Sequence, residues 1–303
     1  MKTLTIPSGD LQLQAAVIAP EQPKAVVVFV HGMAEHKERY YPFMTYLCGQ
    51  GFACVIYDQR GHGATAQSPE DLGYFGKKGV NLLVEDTRNV IRWTRQQYAG
   101  LKLVLFGHSM GSMVVRCFAK QYDDLIDGLV VCGSPSDNGV AGLGILVTYA
   151  VQLFKGERHR SKKVALMMFG THEKKFRAEG MHNAWLSTNR ANVLEYNEDP
   201  LCGFKFTLNG YRVVMQLIRE TYSSKGWAVR NPNLPVHFLV GADDPCIISR
   251  EAFDKAVEFF RNRGYKKVSA KVYTGMRHEV LNELGKESVW EDVGNVIGDI
   301  LVS

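Results

Sequence analysis

The fold is decided by residues 103–115, LVLFGHSMGSMVV. An apolar run leads directly into the pattern G-x-S-x-G, and apolar residues at helical spacing follow it. The stretch predicts a strand, a sharp turn and a helix. The turn needs its glycines because its backbone is strained and the neighbouring elements approach closely. Such a turn would hold the Ser109 hydroxyl above the end of the strand, within reach of a base and a substrate.

The residue after the serine adds a second feature to this turn. The Met110 N–H would lie at the N-terminus of the predicted helix, where unpaired N–H groups and the helix dipole favour negative charge. Ser109 and Met110 would then supply a nucleophile and half of an oxyanion hole. The alternative is an ordinary turn in which Ser109 only caps the helix. The rest of the chain therefore has to supply a base, an acid and a second oxyanion donor.

The composition is that of a globular protein. The chain has 303 residues, of which 46% are hydrophobic and 22% charged, and its net charge is +5. No block of Lys and Arg resembles a nucleic-acid-binding stripe. The six cysteines are scattered without metal-site spacing, so buried free thiols in a reducing compartment are expected. Without an apolar signal core or a window of transmembrane length, the sequence predicts a cytoplasmic protein that contacts membranes peripherally, if at all.

Strand and helix patterns alternate along most of the chain. Six apolar runs, separated by helical patterns, predict strands at 25–30, 52–57, 101–106, 128–132, 235–241 and 268–273, of which the first two are predicted to be buried. Runs at 3–6 and 11–18 predict an opening β-hairpin. We therefore predict an α/β fold with a mostly parallel, eight-stranded sheet flanked by helices. Ligands bind such sheets beyond the carboxyl ends of the strands, where the polar clusters of this sequence fall.

The alternation stops between residues 137 and 230, where helical patterns occur without a buried strand. We predict that 137–230 forms a helical cap inserted into a core made of 1–136 and 231–303. Residues 143–154 are apolar almost all round and precede a basic cluster at 155–163. This helix would cover the site and contact an acyl chain or a membrane surface. The alternative is a buried helix followed by a solvated basic turn.

A serine nucleophile needs a base to accept its proton and an acid to orient that base. In a fold of this kind they follow later strands in the order Ser, Asp, His. His278 follows the last predicted strand and is the expected base. For the acid we favour Asp243 over Asp244, because Pro245 restricts the backbone of Asp244. Asp137, which follows the strand before the cap, is a further alternative.

The second oxyanion donor is expected from the loop after the strand 25–30, where the Met33 N–H would face the site. Only the backbone matters for this role, so the methionine side chain is no objection. Four further histidines at strand ends are expected to be structural: His31, His36, His62 and His108.

Five motifs follow one another in a characteristic order: HGMAEH at 31–36 with Arg-Tyr at 39–40, YDQRGHG at 57–63, GHSMG at 107–111, GADDPC at 241–246 and finally His278. In order and spacing they resemble the monoacylglycerol lipase and lysophospholipase branch of the α/β-hydrolases, over nearly the whole chain outside the cap. The resemblance implies the α/β-hydrolase fold.

The resemblance also implies a triad of Ser109, Asp243 and His278 and an oxyanion hole made by the Met33 and Met110 amides. Two positions depart from the family pattern. Ala34 replaces the second glycine of H-G-x-G-E, and Leu281 stands where some relatives carry another histidine that meets a glycerol head group. These departures concern glycerol recognition and leave ester hydrolysis as the implied chemistry.

Five residues are candidate substrate-binding positions. Cys246 corresponds to a family cysteine near the pocket. Glu35 and Arg39 correspond to family positions beneath the site, where they form either a structural ion pair or head-group contacts. Leu143 and Leu146, on the apolar cap helix, would line a path for an acyl chain.

The sequence therefore predicts a serine hydrolase that cleaves carboxylic esters of monoacyl lipids through an acyl-enzyme. Serine chemistry of this kind needs no metal or organic cofactor. The partners expected are an ester or monoacyl lipid and, through the cap, a membrane surface; nucleic acid is not expected and the oligomeric state is open. The alternatives are a short-chain carboxylesterase, an acyltransferase with the same triad, or a non-catalytic ligand receptor on this fold.

Overall fold

The computed structural model describes residues 1–137 and 139–302. Its strands are β1 (Lys2–Ser8), β2 (Leu11–Ile18), β3 (Ala25–Val30), β4 (Phe52–Tyr57), β5 (Lys102–His108), β6 (Gly128–Cys132), β7 (Pro235–Gly241) and β8 (Lys267–Tyr273). They form one eight-stranded sheet in the order β1-β2-β4-β3-β5-β6-β7-β8. The first hairpin is antiparallel, both within itself and where it joins β4, and β3 to β8 run parallel. The predicted mostly parallel sheet is confirmed.

Helices cover both faces of this sheet. They are α1 (Tyr41–Gly49), α2 (Gly79–Gln97), α3 (Met110–Tyr122), α4 (Ala141–Lys155), α5 (Lys162–Lys175), α6 (Arg190–Glu198), α7 (Leu208–Tyr222), α8 (Arg250–Arg261) and α9 (Lys286–Val302). One apolar cluster joins α1 and α9 to the sheet, and a larger one joins α2, α3, α7 and α8 to it. The sheet is therefore the shared wall of two cores.

The central strands β3 and β4 consist of uninterrupted apolar runs because both of their faces are covered. All residues of β3 and β4 are buried, because helices pack on both sides of them. The edge strand β8 is instead mostly exposed along its length. Its lysines stand at a sheet edge, where charged side chains oppose pairing with another chain.

A single 3-10 turn precedes the helix that follows β3. A 3-10 turn occupies Lys37–Tyr40, and α1 starts at Tyr41 with Pro42 in its first turn. Proline suits this position because its missing N–H would have had no helical partner. The apolar side of α1, formed by Phe43, Met44 and Leu47, packs into the core.

The segment between β6 and β7 carries α4 to α7, and within its described residues it contains no strand. α4 approaches α7 closely, because a side chain at Gly144 would overlap Met215. The predicted ranges 137–230 and 231–303 each include one position outside the described residues, 138 and 303. The division into cap and core stays a prediction. Among the described residues, no helix is both long and apolar enough to span a bilayer.

Candidate active site

The serine turn is strained in the way its sequence predicts. Ser109 lies between β5 and α3 with φ 52° and ψ −118°, a left-handed conformation that is costly for a residue with a side chain. Its N–H donates to the Cys132 carbonyl at 2.9 Å, which ties the turn to β6. A side chain at Gly107 would overlap the Gly111 carbonyl, and one at Gly111 would overlap the carbonyls that end β3. Both glycines are therefore required by close backbone approach.

The loop after β3 lies directly beside the serine. A Cβ on Gly32 would stand 3.1 Å from the Ser109 Cβ. The Gly32 N–H donates to Glu35 Oε1 at 2.5 Å, which fixes the loop from behind. The loop thus brings Met33, the next residue, to the neighbourhood of Ser109. The oxyanion roles of the Met33 and Met110 amides stay predictions.

Ala34, at the position of the second family glycine, takes a left-handed φ of 51°. Its N–H donates to His62 Nε2 at 3.2 Å. Its carbonyl accepts two hydrogen bonds from the segment between β6 and β7, from the Tyr196 hydroxyl at 3.0 Å and from the Gly203 N–H at 2.9 Å. The loop that adjoins Ser109 is therefore bonded to this segment as well as to the sheet.

His278 is almost completely buried, and its Nδ1 lies 2.9 Å from Asp244 Oδ2. Burial alone would lower the pKa of His278, but the charge and hydrogen bond of Asp244 outweigh it and raise that pKa above its usual value. The ring of His278 also lies 4.9 Å from the ring of His108, the residue before the serine. A buried His–Asp pair therefore stands at the same sheet edge as Ser109.

The aspartate that hydrogen-bonds His278 is Asp244. The prediction that Asp243 takes this position is therefore wrong. Asp243 is exposed, and its N–H donates to the Met276 carbonyl at 2.9 Å. Asp244 is 3% exposed; its Oδ1 accepts from the Cys246 N–H at 2.8 Å and its Oδ2 faces His278. The backbone restriction before Pro245 fixes Asp244 in an extended conformation (ψ 114°) at the start of a short 3-10 turn, and this positions the carboxylate.

The remaining candidate acid, Asp137, is exposed, and its carboxylate accepts from the Gly139 N–H at 2.9 Å. This is a local turn contact, which is common for aspartate. The structure therefore does not bring Asp137 to His278.

Glu35 and Arg39 belong to a buried charge network. The Arg39 guanidinium contacts Glu35 at 2.8 Å and binds both oxygens of Glu279 at 2.7 Å. Burial raises the pKa of Glu35, whereas at Glu279 the Arg39 charge together with hydrogen bonds from Arg39 and Asn192 outweighs burial and lowers the pKa to about 2. The Glu35 carboxylate also accepts from the Tyr40 hydroxyl at 2.9 Å. Arg39 is thus already paired with two carboxylates, and the network supports the loop beside Ser109. Of the two roles that the resemblance implied for Glu35 and Arg39, this geometry favours the structural ion pair over head-group contacts.

Three of the histidines that were predicted to be structural are buried. Burial lowers the pKa values of His31, His62 and His108 to about 3, which keeps these rings neutral. His31 Nε2 accepts from the Gln59 N–H at 3.0 Å, which links the ends of β3 and β4. These histidines thus connect the polar loops at the carboxyl edge of the sheet.

Leu143 and Leu146 are not packed around the serine. Their side chains are 65% and 67% exposed. The inward face of α4 consists of small residues, Ala141, Gly144 and Thr148, because α7 lies too close for large ones. The prediction that these two leucines line the site therefore finds no support in the structure.

Cys246 does lie at the site, beside Asp244 and His278. Burial raises the pKa of its thiol to about 11, so the thiol stays protonated. Two groups of side chains in the described chain place nitrogen, oxygen and sulfur donor atoms within 4.8 Å of one another: Asp244, Cys246 and His278, and His36, Asp199 and Cys202. In each group the imidazole already hydrogen-bonds the carboxylate, at 2.9 and 2.7 Å. We therefore assign no metal to either group.

Sequence reasoning missed the aromatic wall that covers His278. The Trp185 ring lies 5.2 Å from the His278 ring, Phe169 stacks against Trp185, and His172 lies 5.2 Å from Trp185. These residues come from α5 and from a short 3-10 turn at Ala184–Leu186. The turn is too short for a periodic pattern, so the sequence carried no signal of this contact.

The strand order, the strained serine turn and the buried His–Asp pair beyond the last two strands define an α/β-hydrolase. The family model described as "Serine aminopeptidase, S33" matches residues 21–285, and the chain belongs to this family.

Known proteins similar to this chain include lipases and esterases. A monoacylglycerol lipase of Mycolicibacterium smegmatis is 25% identical over 94% of this chain and 92% of its own length. The crystal structure of a thermostable carboxyl esterase from Bacillus coagulans in complex with glycerol is 25% identical, with a TM-score of 0.90 over 99% of this chain and 98% of that one. A soluble variant of monoglyceride lipase from Saccharomyces cerevisiae, 16% identical, shares the fold with a TM-score of 0.76 over 99% and 95% of the two chains. The chain is thus a hydrolase-family protein similar to monoacylglycerol lipases and esterases.

Proposed function

We propose that this protein hydrolyses carboxylic esters of monoacyl lipids with Ser109, His278 and Asp244 as its triad. The observation that carries the proposal is the buried pair of His278 Nδ1 and Asp244 Oδ2, 2.9 Å apart, at the sheet edge that presents Ser109. An acid bonded to Nδ1 fixes the ring so that the other nitrogen, Nε2, is free to accept a proton. The similarity to a monoacylglycerol lipase supports the choice of substrate class.

The reaction then follows from these groups. Ser109 Oγ attacks the ester carbonyl while its proton passes to His278 Nε2, and the negative charge on the carbonyl oxygen is held by the Met33 and Met110 N–H groups. The intermediate collapses, the alcohol leaves with the proton from His278, and the acyl group stays on Ser109. Water repeats the sequence, which releases the fatty acid and restores the hydroxyl.

A lipid substrate is favoured over a small polar ester by the apolar lining of the covered site. Trp185, Leu186 and Cys246 belong to one buried cluster, and Phe169 packs against it. A chain of methylene groups gains free energy on leaving water for such a lining. A short-chain esterase is the second candidate, and the similar carboxyl esterase supports it.

The outer face of α4 supports contact with a lipid surface. Leu143, Leu146, Leu153 and Phe154 are between 65% and 87% exposed, and the exposed Lys155 ends the helix. Exposed apolar side chains next to basic ones suit an anionic interface. Replacing Phe154 and Leu153 by serine should reduce co-flotation with anionic vesicles while leaving hydrolysis of a dissolved ester unchanged. Equal flotation of both proteins would refute this contact. A cytoplasmic location stays a prediction of the sequence.

The first experiment is hydrolysis of aryl esters with two to sixteen acyl carbons, together with monoacylglycerols. We expect a maximum at medium or long chains, turnover of monoacylglycerols, and loss of turnover in Ser109→Ala with an unchanged circular dichroism spectrum. A maximum at two to four carbons without glyceride turnover would favour the short-chain esterase. Cleavage of amino-acid anilides alone would favour a peptidase. Acyl transfer to added alcohols would favour an acyltransferase, and the absence of any turnover would favour a ligand receptor.

A further inference from the structure

Two buried polar atoms above His278 have no hydrogen-bond partner in the described part of the chain. They are Trp185 Nε1 and His172 Nδ1. Their rings are 5.2 Å apart. Nearly all buried polar atoms in native proteins are hydrogen-bonded, and an unsatisfied one costs about 1–3 kcal/mol. Two such atoms on adjacent rings therefore require a partner that the protein itself does not supply.

Both atoms belong to the wall over the proposed base. The Trp185 ring lies 5.2 Å from the His278 ring, and Trp185 is 8% exposed. Trp185 is also stacked by Phe169, whose ring meets His172 edge to face at 6.0 Å. The indole N–H makes no hydrogen bond to any of these described neighbours. A ligand bound next to His278 would be the natural source of that partner.

The chemistry of the two atoms selects an uncharged, hydroxyl-bearing ligand. The indole Nε1–H can only donate, whereas a neutral imidazole nitrogen donates or accepts according to its tautomer. Burial and the neighbouring charge of His278 lower the pKa of His172, so this ring is neutral near pH 7. The arginine closest along the chain to His278, Arg277, is already paired with Glu179 and lies over Phe176. At Arg277 a phosphate head group would thus meet a cation that is already paired.

We propose that Trp185 and His172 form the subsite for the alcohol portion of a polyol ester. The indole N–H donates to one hydroxyl oxygen of the leaving alcohol, and His172 Nδ1 exchanges a hydrogen bond with another. This inference rests on the proposed function and narrows its substrate class to acyl esters of small neutral polyols such as glycerol. It also provides a way to recognise a glycerol head group, which the departures from the family pattern at Ala34 and Leu281 had left unexplained.

The test compares two esters that share an acyl chain. The ratio of kcat/KM for 1-monodecanoylglycerol to kcat/KM for methyl decanoate is measured in the full-length wild type, Trp185→Phe and His172→Phe. Each variant keeps an aromatic ring; Trp185→Phe removes the indole N–H, and His172→Phe removes both imidazole nitrogens. We expect each to lower the ratio about fivefold, which is the effect of one lost neutral hydrogen bond.

Two matched variants control for the loss of an indole or an imidazole elsewhere. Trp227→Phe removes an indole N–H that donates to the Ser223 carbonyl at 3.0 Å, away from His278. His182→Phe replaces a histidine whose side chain is 74% exposed. Neither should change the ratio.

The outcomes separate the two proposals. An unchanged ratio in Trp185→Phe and His172→Phe, or a wild type that prefers the lysophospholipid of the same acyl chain, would overturn the polyol subsite and leave ester hydrolysis standing. A wild type that hydrolyses neither decanoyl ester would overturn the proposed function and the subsite together.

Discussion

Replacing Asp244 by asparagine tests the assignment of the acid most directly. The substitution keeps the shape of the side chain and an oxygen that can accept from the Cys246 N–H, at 2.8 Å in the structure. It removes the negative charge 2.9 Å from His278 Nδ1. An amide NH₂ facing Nδ1 also favours the tautomer with the proton on Nε2, which cannot accept the proton of Ser109.

The size of the effect follows from this geometry. Two unit charges about 4 Å apart interact by about 4 kcal/mol at an effective dielectric constant of about 20. Losing this stabilisation of the imidazolium that forms in the transition state lowers kcat by about 10³-fold. The wrong tautomer adds to the loss, so we expect kcat to fall by about 10³- to 10⁴-fold.

A pH profile gives a second readout of the same substitution. The base acts when it is neutral, so activity rises with pH through the pKa of His278. Asp244 raises that pKa above 6.5, which places the acid limb of wild-type kcat/KM above pH 6.5. The residual activity of Asp244→Asn should therefore show its acid limb at lower pH.

The matched control is Asp243→Asn, one residue away and exposed. It should retain kcat within about twofold. A large loss in Asp243→Asn with little loss in Asp244→Asn, in proteins of equal thermal stability, would refute the geometric argument and restore the prediction made from the sequence.

Three further predictions concern stability, measured by urea unfolding. Gly111→Ala should prevent folding or lower the free energy of unfolding by more than about 3 kcal/mol, since its methyl group would overlap the Val30 carbonyl. Gly298→Ala should raise the free energy of unfolding by about 0.5–1 kcal/mol, because the space around this position in α9 is open. Arg39→Met should lower the free energy of unfolding by about 3–5 kcal/mol, because it leaves the buried Glu35 and Glu279 without a cation. His36 bonds Asp199 at 2.7 Å and Glu38 at 2.5 Å. Burial opposes the charge of His36, but these two bonds raise its pKa. The stabilisation of the folded protein by charged His36 is therefore complete below about pH 6.5 and is lost as pH rises through the raised pKa. Unfolding free energies should therefore differ between wild type and His36→Gln by about 1–2 kcal/mol more at pH 6 than at pH 9.

Each of these has a result that would contradict it. Equal unfolding midpoints for Gly111→Ala and Gly298→Ala would mean that the turn relaxes away from β3. The double variant Arg39→Met/Glu279→Gln should recover part of the loss, and no recovery would show that Arg39 acts by packing alone. A pH-independent difference for His36→Gln would show that its charge does not contribute.

The sequence was sufficient for the sheet because its signals were local and repeated. Apolar runs of five or six residues predicted β3, β4 and β6 at their observed bounds, and G-x-S-x-G predicted the Ser109 turn. Each of these depends on residues adjacent in the chain. His278 was predictable for the same reason, since its position after the last strand is a property of chain order.

The choice between Asp243 and Asp244 could not be made in this way. The two carboxylates are neighbours, and which one faces His278 depends on the 3-10 turn that starts at Pro245 and on the hydrogen bond from the Cys246 N–H. The contact of Trp185 with His278 depends on how the segment between β6 and β7 folds back over the sheet, across more than ninety residues of chain. Pairings of that range leave no periodic trace in the sequence.

The two hydrogen bonds on the Ala34 carbonyl couple the segment between β6 and β7 to the loop beside Ser109. Tyr196 and Gly203 hydrogen-bond the carbonyl of the residue that follows Met33, and the Met33 amide is the proposed oxyanion donor. A displacement of the segment between β6 and β7 that breaks these bonds removes this part of the support of the loop, while the bonds to Glu35 and His62 remain. Ordering of the segment that carries Tyr196 and Gly203 and ordering of the loop at Ala34 are therefore thermodynamically linked: whatever stabilises one through these bonds stabilises the other by the same free energy.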